Sequence, residues 1–72
     1  MREISIYFNK TEIGFEVALG DGPKLFYPTR REAWEVVNNS VKDFDFTNDK
    51  LLFNGIEIPS MERLVSLVRY LF

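Results

Sequence analysis

A chain of 72 residues with 46% hydrophobic and 15% aromatic content has the material for one small core, and at this length it buries only about 60% of the surface its unfolded form exposes. Nine basic and eleven acidic residues give a formal charge of −2, spread without a block of one sign, so bulk charge points neither to nucleic acid nor to an anionic membrane. There is no cysteine and no histidine, which removes disulfide staples, the strongest nucleophile, the commonest general base and the commonest transition-metal ligand.

In chain order, Glu3 to Phe8 alternates, with Ile4, Ile6 and Phe8 on one side and Glu3, Ser5 and Tyr7 on the other, the period of a half-buried strand. A second alternating run places Ile13, Phe15, Val17 and Leu19 inward and leaves Glu12, Gly14, Glu16 and Ala18 outside, with Asn9-Lys10-Thr11 as the connecting loop. Gly20-Asp21-Gly22-Pro23 is a turn signal, since glycine permits positive φ and Pro23 cannot donate to a ladder. A third strand, Lys24 to Tyr27, follows.

Thr29 and Glu32 form a capping-box pattern, so a helix is predicted from Arg30. Ala33, Trp34, Val37 and Val41 recur at helical spacing, and the single tryptophan is the expected centre of the core. Asp43 to Asp49 reads as an acidic connection or a short edge strand with Phe44 and Phe46 inward. Its oxygen-bearing side chains lack the sharp-turn glycine and the terminal bidentate glutamate of a calcium loop, so no metal is assigned to it. Leu51-Leu52-Phe53 and Ile56-Glu57-Ile58 flank Asn54-Gly55, the favoured pair for a type I′ hairpin turn. Pro59-Ser60 then opens a last helix, echoing Pro28-Thr29, with Met61, Leu64, Val65, Val68, Leu71 and Phe72 on one face, widened by Leu67 and Tyr70.

The predicted fold is a single α+β domain over residues 1–72: a small antiparallel sheet with two helices packed on one face, in the order β-β-β-α-β-β-α. No apolar run reaches the roughly 20 residues that span a bilayer, and the N-terminus has no signal-peptide pattern, so the expected setting is the cytoplasm.

The chemistry is sparse. Neither a GxxxxGK[ST] loop nor GxGxxG is present, and no cofactor is expected. Glu3 and Glu16 are read as outer-face cross-strand neighbours with ordinary carboxylate behaviour, suited to solubility and not to acid–base work. Catalytic and metal sites are therefore not assigned. The bare outer face carries Tyr7, Glu16 and either Phe26 or the pair Leu25 and Tyr27, a composition suited to a protein partner.

The expected function is accordingly a non-catalytic protein-binding module, a stoichiometric regulator or inhibitor, touching its partner with Tyr7, Glu16, Phe26, Leu67 and Tyr70. A homodimer through Leu67, Tyr70 and Phe72 on the C-terminal helix is a variant of that reading. The alternative is a weak nucleic-acid binder using Lys10, Lys24, Arg30 and Arg31 as a modest basic edge, for which four scattered cations are a thin footprint.

Overall fold

The structure, a computed structural model, describes residues 2–72 apart from the Leu71 side chain, so the place predicted for Leu71 on the last helix lies outside the described residues. The elements run β1 (Glu3–Lys10), β2 (Phe15–Leu19), β3 (Leu25–Tyr27), α1 (Arg30–Val41), β4 (Lys50–Phe53), β5 (Ile56–Ile58) and α2 (Met61–Leu71), the predicted α+β order. Five strands lie in the order β3-β2-β1-β4-β5. The outer pairings are antiparallel, but β1 and β4 run parallel, with Ile4 opposite Leu51 and Ile6 opposite Phe53. The predicted antiparallel sheet is thus a mixed one. A parallel neighbour requires a crossover, and β3, α1 and the acidic loop together supply it.

Alternation decides the two faces. Ile6 and Phe8 of β1, Phe15 and Val17 of β2, Leu51 and Phe53 of β4 and Ile58 of β5 are buried together with Ala33, Val37 and Val41 of α1 and Leu64 and Val68 of α2. Both helices therefore cover one side of the sheet, α1 over β2 and β3, and α2 against β5. Phe8 is the hub of an aromatic cluster, with ring centroids 5.7 Å from Phe15, 5.8 Å from Phe53 and 5.1 Å from Phe72.

Two expectations about side-chain placement are corrected. Ile13 is not an inward strand residue: it is 79% exposed in a loop where the Thr11 N–H donates to the Gly14 carbonyl oxygen at 2.8 Å, so β2 starts only at Phe15. Trp34 is not the centre of the core. The stripe facing the sheet is Ala33, Val37 and Val41, spaced four apart, and Trp34 is turned off it toward α2 and half-buried. Of the two readings of Asp43 to Asp49 the acidic connection holds, since the segment forms turns and no strand.

Both helix starts follow the sequence grammar. The Thr29 hydroxyl accepts from the Glu32 N–H and the Ser60 hydroxyl from the Arg63 N–H, each at 3.2 Å. At the β4–β5 turn Asn54 and Gly55 both take positive φ, 52° and 84°, as a type I′ turn demands.

Candidate interaction surface

Strand register builds the uncovered face. Tyr7 stands opposite Ala18, Glu16 stands between Asn9 and Phe26, and Leu52 stands between Ser5 and Glu57. Register decides between the two options for β3: Phe26 stands opposite the outward Glu16, while Leu25 and Tyr27 stand opposite the inward Val17 and Phe15, although at this edge Leu25 is itself 51% exposed. Tyr7, Glu16 and Phe26, read as site residues from the sequence, are thus brought onto one surface. Ala18 shares it but is buried among longer neighbours, only 7% exposed.

Two features of this surface were missed. Leu52 adds an apolar side chain to it, and the signal was available: alternation within Leu51-Leu52-Phe53 must turn the middle residue away from the core. Gly14 seats Phe26. A Cβ at residue 14 would lie 2.7 Å from the Phe26 Cζ and 2.5 Å from the Tyr27 carbonyl oxygen, so the phenylalanine ring fills the space that glycine leaves.

Charges frame the patch. The Lys24 ammonium lies 4.5 Å from the centroid of the Tyr7 ring, the Asn9 amide donates to Glu16 at 3.3 Å, and Lys50 pairs with Glu3 at 3.7 Å. Glu3 and Glu16 are not neighbours: Glu16 pairs with Asn9, six positions along β1 from Glu3 and about 20 Å away at the strand rise. Beside Tyr7, a depression of about 360 Å³ is bordered by Ser5, Gly20, Asn54 and Gly55, whose small side chains leave it open.

No family model, curated protein or solved structure matches this chain. What can be said of the surface therefore rests on its own geometry.

The remaining predicted site residues lie elsewhere. Leu67 is partly buried against the core and Tyr70 is 75% exposed, both on α2 in the helical layer and not on the open sheet face. Phe72, grouped with them as a dimer face, instead packs edge-on against Phe8 and Phe53. The four cations do not share one edge. Lys24 sits over Tyr7, Lys10 ends β1 beside Phe15, and Arg30 and Arg31 open α1, where they line a groove with Trp34 and Arg69.

The acidic loop holds itself and the chain's first strand. Asp49 accepts from the Arg2 backbone N–H at 2.9 Å and from its guanidinium at 3.3 Å, and Asp45 accepts from the Thr47 N–H at 3.0 Å and the Asn48 amide at 2.8 Å. These bonds stabilise the ionised forms. The Asp49 carboxyl is held below its usual value by the Arg2 backbone N–H first and the Asp45 N–H second, and that of Asp45 by the Thr47 N–H and then Asn48. Arg2 also lies over Phe44, 5.2 Å from the ring centroid. Among the described residues no group of three or more acidic side chains is placed to hold a metal ion, and no helix is long and apolar enough to cross a membrane.

Proposed function

We propose that this chain is a non-catalytic protein-binding module, a stoichiometric regulator or inhibitor working in the cytoplasm, which docks a protein partner on the open sheet face around Tyr7, Glu16, Phe26 and Leu52. The observation that carries the reading is the asymmetry of the sheet. Both helices lie on one side, and the other side presents aromatic and aliphatic groups ringed by Lys24, Glu16, Glu3 and Lys50. An apolar centre with a charged rim is the anatomy of a protein interface, and Tyr and Phe are enriched at such centres. The depression beside Tyr7 gives a partner side chain a place to enter.

Affinity capture from the source cell with Tyr7→Ala and Tyr70→Ala beside the parent chain tests it, with thermal melting as the folding control. A partner retained by Tyr70→Ala and lost from Tyr7→Ala is the expected result. A partner kept by Tyr7→Ala and lost from Tyr70→Ala would move the interface to α2, and sedimentation at micromolar concentration would then show whether that partner is a second copy of the chain.

A further inference from the structure

We propose that the groove between the start of α1 and the end of α2 binds a phosphorylated small molecule of nucleotide size, with its phosphate on Arg31 and Arg69 and its flat or apolar part along Trp34, Val65 and Val68. The groove has a volume of about 330 Å³ and is completed by Arg30. It lies in the helical layer, on the far side of the sheet from Tyr7, and does not depend on the interface proposed above.

Charge distribution is the first support. Three of the five arginines of a chain with net charge −2 line this one groove. Gathering like charges is unfavourable unless something of opposite sign offsets them. Elsewhere the cations are either paired or stand singly: Arg2 is paired with Asp43 and Asp49, Lys50 with Glu3, and Lys24 rests on the Tyr7 ring. Here three cations share one small offset, the carbonyl end of α2 where Arg69 sits and Arg30 donates, and one ion pair among the described residues, Arg31 with Glu35 at 3.9 Å, with the arginine side chain 90% exposed. Such a pair is worth little in water.

Donor chemistry is the second. Every polar side chain lining the groove, three guanidiniums and one indole, offers N–H groups and no acceptor. The complementary ligand is rich in acceptors, and a phosphate brings three terminal oxygens and nearly two charges to share between guanidiniums, against two oxygens and one charge on a carboxylate. The valines and the indole require the same ligand to carry an apolar or aromatic portion, which an arginine-bearing aromatic site also favours. The volume lies at the small end of the range for ligand pockets and fits one such molecule, not the path of a polymer.

The two sides of the groove are also in contact. Arg30 donates to the Arg69 carbonyl oxygen at 3.2 Å, tying the first turn of α1 to the last turn of α2. The bond links the two walls, and it satisfies that carbonyl oxygen at the helix end.

Trp34, the single tryptophan, reports on this site alone. Its fluorescence should change saturably on titration with ADP at low ionic strength and stay unchanged with adenosine at equal concentration, while inorganic phosphate should displace ADP. Arg31→Gln and Arg69→Gln, both at exposed positions, should each weaken ADP binding about tenfold with melting unchanged. Tyr7→Ala should leave it intact. Absence of a saturable response to ADP, an ADP response indifferent to both arginine substitutions, failure of phosphate to compete, or tighter binding of a glutamate-rich peptide than of ADP would each overturn the proposal.

Discussion

The Asn54 side chain continues the parallel ladder beyond the end of β4: its Oδ1 accepts from the Phe8 N–H at 2.8 Å and its Nδ2 donates to the Phe8 carbonyl oxygen at 2.9 Å. One amide thus does for Phe8 what a further strand residue would do, while its own backbone N–H donates to the Ile6 carbonyl oxygen at 2.8 Å and its φ opens the hairpin turn. Phe8 is the most connected ring of the core, so its backbone is fixed from the turn side.

Asn54→Gly separates these two duties, because glycine keeps the positive φ and lacks the amide. Two hydrogen bonds at about 0.5–1.5 kcal/mol each predict a loss of roughly 1–3 kcal/mol, read by urea denaturation. Asn54→Asp should cost as much or more, since a carboxylate would face the Phe8 carbonyl oxygen. A neutral Asn54→Gly would show that only the turn conformation matters.

The clamp between Arg2 and Asp49 makes stability fall in acid. The carboxyls of Asp45 and Asp49 titrate lower in the folded chain than in the unfolded one, so their contribution is full above about pH 4, the ordinary aspartate range, and is lost as pH falls through the lowered values. Melting temperatures followed downward from neutral pH should drop across that window. Asp49→Asn should melt lower at pH 7 and show a shallower fall in acid.

Gly14→Ala should destabilise by about 1–3 kcal/mol, because the new methyl would overlap the Phe26 ring and the Tyr27 carbonyl oxygen. The ring is the movable half of that clash. In a Phe26→Ala background the cost of Gly14→Ala should therefore shrink, a coupling that a double-mutant cycle measures directly.

Leu64, fully buried at 0% exposure, is a better core probe than the tryptophan. Leu64→Ala should cost about 2–5 kcal/mol, a large part of the stability of a domain this size. Trp34→Phe, at the rim of the groove, should cost distinctly less in the same denaturation experiment. The reverse order would restore the tryptophan to the centre.

Local rules written in the residues themselves determined much of this protein. Two hydroxyl caps after prolines, the Asn54-Gly55 turn and the alternation of β1 set the elements and their order, because each depends on neighbours a few positions away. Alternation likewise put Tyr7 and Glu16 on the outer face and would have put Leu52 there too. The tertiary structure decided what depends on distant partners. That β1 pairs with β4 in parallel, that Phe26 and not Leu25 and Tyr27 faces outward over Gly14, and that Arg69 joins Arg30 and Arg31 beside Trp34 all follow from segments meeting across dozens of residues. A run such as Glu12 to Leu19 alternates whether or not a ladder is there to receive it, which is why Ile13 belongs to the pattern and yet lies in solvent. Periodicity reports which side chains could share a face; only packing selects the faces that are covered, because burial is a property of pairs of elements and not of one.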